Sequence, residues 1–302
     1  MKRIFTIFVF LFLLTTANSF SQNYGAKTTT FSFSSNYEHG FDTDIDDGGE
    51  ISVDRFSIDA SVSKRLNEKT ELTFSADYTY TDFDFSGSEG FAGLDPWDQI
   101  NKYGIGMRVN YSLNRNWVLT GGAFIKHAGE DGADFDDSLR YSGFGGFTYA
   151  PSRDFMIGTG LFITSRFEEN VGVYPGLVLN WNINDRLRLS SLFTGVKSEL
   201  GPRVQLSYDL GSGFNTGIGI GYEFSSFRLD DDGIAPDGVG DVKILPVWAS
   251  LGYKMNESIS LELYTGLGFF GELELEDSDG DEIAKEDFDT MFFAGGGVKI
   301  KL

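Results

Sequence analysis

The run Lys102-Tyr103-Gly104-Ile105-Gly106-Met107-Arg108-Val109-Asn110-Tyr111-Ser112-Leu113 alternates without a break. Successive side chains of a strand point to opposite faces. Tyr103, Ile105, Met107, Val109, Tyr111 and Leu113 therefore share one face, and Lys102, Gly104, Gly106, Arg108, Asn110 and Ser112 share the other. Leu72, Phe74, Ala76, Tyr78 and Tyr80 repeat this against Thr73, Ser75, Asp77, Thr79 and Thr81. So do Val204, Leu206 and Tyr208 against Arg203, Gln205, Ser207 and Asp209. Beyond the N-terminal apolar run no segment reads as a long helix, and the chain is all-β.

A soluble sandwich also alternates, so the connections decide the architecture. Strands are predicted at 27–38, 51–64, 70–83, 100–113, 116–127, 138–150, 154–167, 171–183, 186–198, 202–210, 213–228, 242–254, 258–271 and 288–302. That is about fourteen, an even number as bacterial barrels have. Tight links at 65–69, Asn114-Arg115, Ser152-Arg153, Asn184-Asp185, Gly211-Ser212 and Asn256-Glu257 carry turn-forming residues. They alternate with longer links at 39–50, 84–99, 128–137, 230–241 and 272–287, and with shorter ones near Glu168 and Leu200. Segregated loop lengths of this kind predict a transmembrane antiparallel up-and-down β-barrel with periplasmic turns and outer loops. Reading 198–213 as one loop would leave about twelve strands. Residues 111–119, 179–187 and 253–261 share an aromatic, a turn asparagine and resumed alternation, which places Trp117, Trp181 and Tyr253 in a lower aromatic girdle.

Composition agrees. Apolar residues are 41%, fewer than a soluble core of this size takes, while a barrel with a polar interior needs no such core. Met1-Lys2-Arg3, the apolar run from Ile4 to Leu14 and the small and polar residues from Thr15 to Gln22 have the order of a secretory signal. Residues 1–21 are read as signal, with cleavage after Ser21 and Ser19 as the alternative, and 22–302 as the barrel, which locates it in the outer membrane. With no cysteine, neither a cysteine-acylated lipoprotein nor a disulfide is available. A net charge of -21 argues against nucleic acid. The expected partners are outer-membrane lipid, lipopolysaccharide and the barrel assembly machinery. Phe292, Ala294, Gly296, Val298, Ile300 and Leu302 alternate to the last residue as a closing strand would, although assembly signals usually finish in an aromatic.

The chain resembles the outer-membrane barrels of Gram-negative bacteria, and its signal end Ser19-Phe20-Ser21-Gln22 is similar to those of Bacteroidetes. Three segments, 227–233, 237–241 and 272–281, resemble an uncharacterised family of such barrels. That resemblance implies an architecture and carries no activity.

With apolar residues facing lipid, the lumen is predicted to receive Arg55, Asp59, Asp77, Lys102, Arg108, Arg140, Arg166, Arg186, Arg188, Arg203, Asp209, Glu223 and Glu262. These charges either pair to hold the wall or set selectivity for anions. Most acidic residues fall in the outer loops. Asp277, Asp279 and Asp281 have the one-three-five spacing of a calcium loop, but Glu282 and Phe288 stand where its glycine and closing glutamate belong. The loops thus offer either a calcium or magnesium site or a solvated acidic surface, and no other cofactor is expected. A serine hydrolase needs a histidine base, and the two histidines are His39 and His127. Residue 129 is glycine, so the His-x-Ser pair of lipid-modifying barrels is absent and the chain does not read as an enzyme. The expected function is a passive pore for small hydrophilic solutes, with anions a candidate class. The alternative is a non-conducting barrel with acidic, cation-binding loops.

Overall fold

The computed structural model describes residues 29–168, 171–192 and 200–302; the predicted signal and cleavage point lie outside them. The chain runs through β1 (Thr29–Asp44), β2 (Glu50–Arg65), β3 (Thr70–Ser86), β4 (Gln99–Ser112) and β5 (Trp117–Glu130). It continues through β6 (Leu139–Tyr149), β7 (Phe155–Thr164), β8 (Gly172–Asn182), β9 (Leu187–Leu192) and β10 (Leu200–Gly211). The last five strands are β11 (Phe214–Arg228), β12 (Val239–Lys254), β13 (Ile259–Glu276), β14 (Glu282–Phe288) and β15 (Met291–Lys301). Each wall strand pairs antiparallel with its chain neighbour, and β1 pairs with β15 to close the ring. Strands β14 and β15 are two pieces of one wall strand, because both pair with β13, at Gly271–Glu276 and at Ile259–Gly268 respectively. The barrel therefore has 14 wall strands. Val204 pairs with Ser191 on one side and Ile220 on the other, so β10 is a strand of its own and the twelve-strand reading fails.

Over the middle of the wall the apolar residues face outward. Ile105, Leu177 and Leu263 are 62%, 59% and 65% exposed, a degree of apolar exposure that hydrocarbon accepts and water does not. At the turn end, aromatic residues stand opposite one another on neighbouring strands. Trp117 faces Tyr149 at 4.7 Å between ring centroids, Trp181 faces Phe155 at 6.2 Å and Tyr253 faces Phe214 at 4.5 Å.

Four of the tight turns use one device. The side-chain oxygens of Asn67, Asn114, Asn184 and Asn256 each accept backbone N–H groups from two and three residues ahead, at 2.8–3.1 Å. In each, an apolar residue precedes the asparagine: Leu66, Leu113, Ile183 or Met255. The repeat seen in sequence is thus a side-chain-capped turn used at one rim. Asn256→Ala is expected to lower unfolding stability by about 1 kcal/mol, measured by urea titration in detergent, because it strands two backbone donors.

The outer half departs from the predicted loops. In β3 the apolar residues leave the outward parity of Phe74, Tyr78 and Tyr80 and appear at Phe83 and Phe85 on the inward one, while Asp82 and Asp84 take the outward positions. Ile51 and Val53 of β2 and Val242 and Ile244 of β12 are inward in the same way. Where the wall leaves the membrane, water outside and side chains inside reverse the pattern. The predicted loop 272–287 is accordingly a hairpin. β13 bulges at Phe270, then carries Leu273 and Leu275 inward and Glu272, Glu274 and Glu276 outward before β14 returns.

These inward residues form a core inside the outer end: Ile51, Phe83, Ile100, Phe227, Leu273 and Leu275 are at most 5% exposed. Trp97, from the β3–β4 loop, lies edge-on to Phe83, Phe85, Phe91 and Phe227, with centroids 5.3–6.1 Å away. β11 runs on past its last β10 partner at Glu223 to meet β5 directly, Arg228 bridging to Gly129. Among the described residues the pairing of β5 with β6 ends at His127–Leu139, short of this junction, so β5 and β11 meet over the core.

On the outer face of the extension, Lys243 Nζ lies 2.6 Å from Glu272 and 2.8 Å from Glu274, and Lys285 Nζ 3.0 and 3.3 Å from the same pair. Burial alone would raise both carboxyls, but the hydrogen bonds and charges of the lysines outweigh it and hold them below the usual carboxylate range. A depressed carboxyl contributes stability above its unfolded pKa and loses it as pH falls through the folded one. Amides of β14 are therefore expected to lose exchange protection below about pH 4. Equal protection at neutral pH and at about pH 3 would contradict this.

Candidate functional site in the lumen

The inner half of the barrel encloses a cavity of about 970 Å³. Its lining combines small polar residues, Ser32, Ser34, Asn36, Thr73, Ser75 and Thr120, and the charged Arg108 with apolar side chains such as Phe144, Met156 and Val178 on the β6 to β8 side. Glycine shapes it where space is short. A Cβ on Gly106 would fall 2.1 Å from the Phe124 ring, so that ring can lie flat across the wall only over glycine.

Above it lies a smaller cavity of about 300 Å³. Asn36, Asp59, Asp77 and Glu262 line both, so the two are continuous. Charged residues gather at this waist. Arg55 of β2 reaches across the lumen to hydrogen-bond Glu223 of β11, and its Nη1 lies 3.5 Å from Glu38. Lys126 Nζ lies 3.3 Å from Asp77. Lys102 donates to Ser225 Oγ at 2.6 Å and lies 5.3 Å from the Phe227 ring, which puts its ammonium against the underside of the apolar core. Ion pairs drawn from opposite walls fix those walls relative to one another, and at this degree of burial each partner depends on the other.

Of the residues expected in the lumen, Arg55, Asp77, Lys102, Arg203, Glu223 and Glu262 line the waist, and Arg108 and Asp59 the wider cavity. Arg140 stands at the outer rim of β6, donating to Ser165 O at 3.2 Å with its guanidinium 5.1 Å from Phe167. Arg188 is exposed at the inner rim and hydrogen-bonds Asn180. Two placements differ from expectation. Arg166 lies beyond the end of β7, where strand parity no longer applies, and packs 6.0 Å from Phe224, whose neighbours Glu223 and Ser225 are the ones facing inward. Arg186 is in the turn before β9, exposed, with Tyr208 as its partner. Asp209 caps the β10–β11 turn by accepting from the Gly211 N–H at 2.8 Å.

Glu38 and Lys126 were not predicted, although they share the inward parity of Asn36 and of Val118 and Thr120. Trp248 and Tyr264 also face the waist, and as aromatics they carry no polar signal in a sequence.

Asp277 does not gather ligands with its neighbours. One of its carboxylate oxygens accepts from the N–H groups of Asp279 and Asp281, both at 2.9 Å, which makes it the cap of the β13–β14 turn. Among the described residues no group of three or more His, Asp or Glu converges as an ion site would. His39 pairs with Asp54 at 2.9 Å, and Asp54 also accepts from Tyr37. His127 is stacked 4.8 Å from Phe135.

A model of one protein family, described as a domain of unknown function (DUF6268), matches residues 17–301. A comparison with curated protein sequences found no match. Among solved structures, the COG4313 outer membrane channel from Pseudomonas putida F1 is similar, with a TM-score of 0.49 and 9% identity, over 94% of this chain and 98% of that one. A FadL homologue of Pseudomonas aeruginosa has a TM-score of 0.48 and 12% identity, over 90% and 89%. The toluene transporter TodX of P. putida has a TM-score of 0.42 and 8% identity, over 91% and 90%.

Proposed function

We propose that this chain, which belongs to the DUF6268 family, is a passive outer-membrane channel for small hydrophilic solutes. The observation that carries the reading is a lumen of about 970 Å³ with polar side chains over β1 to β5, continuous with the charged waist. Barrels of about eight strands are filled by their own side chains, and a ring of 14 is wide enough to leave this space. The waist charges are paired, Arg55 with Glu223 and Glu38, and Lys126 with Asp77, which supports weak charge selection in place of a preference for anions. Conduction to the outside requires the apolar core of the outer end to open. Glu130, at the end of β5, regulates that step by clamping two loops: it accepts from Asp98 N at 2.9 Å and Asp230 N at 3.2 Å.

The closed outer end also favours a second reading, a non-conducting barrel whose acidic loops meet ions or a partner. Planar bilayers separate the two. The channel gives discrete conductance steps, with open probability rising in Glu130→Ala as the clamp is lost. Silence from folded wild-type and Glu130→Ala protein would favour the second reading.

A further inference from the structure

Arg108 of β4 faces the wider cavity without a partner: among the described residues none accepts from it or pairs with it, and its Nε is buried with no acceptor. The carboxylates around it are engaged elsewhere. Glu71, the nearest by register, accepts from Asn110 at 3.3 Å and stands opposite Arg65, while Asp77 holds Lys126 at 3.3 Å and Asp59 accepts from Ser34 at 3.1 Å. The neighbouring hydroxyls are satisfied too, Thr73 by Ser63 at 2.8 Å and Thr120 by Asn110 at 2.9 Å. Register also sets an apolar surface against this cation. Arg108, Gly122 and Phe144 form one row across β4, β5 and β6, and with neighbouring strands roughly 5 Å apart the row spans only about 10 Å. A Cβ on Gly122 would lie 2.4 Å from the Phe144 ring, so that ring leans back over the glycine toward the arginine. One inward step along β4, the Phe124 ring covers Gly106 in the same way, and the two rings are parallel within 10°, with centroids 5.5 Å apart. Arg108 therefore stands at the seam where the polar side of the cavity meets its apolar side.

We propose that this seam binds a small aromatic carboxylate. The carboxylate of the solute takes the terminal guanidinium nitrogens of Arg108, and its ring lies against Phe144. A planar fork of donors suits a carboxylate, and a single unpaired guanidinium matches a single negative charge. A small inorganic anion meets the guanidinium and leaves the rings wet, whereas a neutral aromatic covers the rings and leaves the donors to water. The cavity of about 970 Å³ extends to the inner rim, where Arg65, Glu68 and Lys69 of the β2–β3 turn line it, so the site fills without any movement of the outer core. As a solute of the lumen the acid rests on the channel reading, but binding and conduction are read separately.

The test is calorimetric titration of the purified full-length protein in detergent at neutral pH with sodium benzoate, benzamide and sodium acetate, each corrected for its heat with protein-free micelles. Benzoate is expected to bind, and benzamide, which lacks the charge, and acetate, which lacks the ring, each to bind at least about tenfold more weakly. In Arg108→Gln the advantage of benzoate over benzamide is expected to vanish. In Phe144→Leu its advantage over acetate is expected to shrink while that over benzamide remains. Arg108 has no partner to lose, so its substitution leaves the wall intact, as heat-modifiable electrophoretic mobility would verify. No heat with benzoate, binding of benzamide or acetate as tight as that of benzoate, or an unchanged benzoate affinity in Arg108→Gln would overturn the proposal. A protein that conducts and gives no benzoate heat keeps the channel and loses this site. One that binds benzoate and is silent in bilayers keeps the site and loses the channel.

Discussion

Trp97→Ala is expected to raise the open probability of single channels by about two orders of magnitude. Trp97 is 2% exposed and meets four phenylalanine rings, three from β3 and its following loop and one from β11. Truncating a buried tryptophan costs about 3–5 kcal/mol. The lost contacts tie the β3–β4 loop to the end of β11, so the cost falls on the closed state of the outer end. The membrane wall is formed by other residues and retains its ladder hydrogen bonds. Heat-modifiable mobility is therefore expected to be unchanged while planar bilayers record frequent long openings. If Trp97→Ala protein folds and remains as quiet as wild type, the core is a permanent plug and solute does not pass through it.

The core itself was open to reading in the sequence. Between Tyr80 and Phe83 the apolar residues of β3 change parity with no glycine and no bulge between them, and Asp82 and Asp84 occupy the opposite face. A strand that reverses its pattern has changed which side is wet. Treating 272–287 as a loop because of its acidity missed the same signal at Leu273 and Leu275, which alternate with the glutamates around them. The turn asparagines were legible for a local reason, since an Asn side chain and the N–H groups two and three residues ahead are set by the chain itself. Parity was available for Glu38 and Lys126 too, since both lie on inward positions of their strands, but the sequence reading left them out. Parity failed at Arg166 and Arg186, which stand outside strands, where nothing fixes side-chain direction. The Arg55–Glu223 contact was out of reach for another reason. Its partners are 168 residues apart on walls that are not neighbours, and the distance between those walls depends on how the whole ring is flattened. Parity places both residues in the lumen and says nothing of whether they touch.

That contact gives the other large effect. Glu223 is the carboxylate facing both Arg55 and Arg203, and its side chain is 9% exposed. Glu223→Gln removes one negative charge from a waist whose pairs otherwise balance, leaving two guanidiniums with Glu38 as the near counter-charge. Rings of fixed charge set the selectivity of a narrow pore, so the reversal potential in a salt gradient is expected to move toward the anion side, with the anion-to-cation permeability ratio rising about tenfold. Breaking a buried pair from one side costs about 3–5 kcal/mol, whereas exchanging both partners for apolar groups costs little. Arg55→Met with Glu223→Leu removes one charge of each sign and is therefore expected to keep the waist's net charge while the two walls lose their tie, with Glu38 and Arg203 left to each other as counter-charges. Measuring all three proteins in the Trp97→Ala background keeps the outer end from masking the waist. A reversal potential unchanged by Glu223→Gln there would mean that ions cross by a path that does not pass Arg55 and Arg203, and would remove the waist from the conduction route.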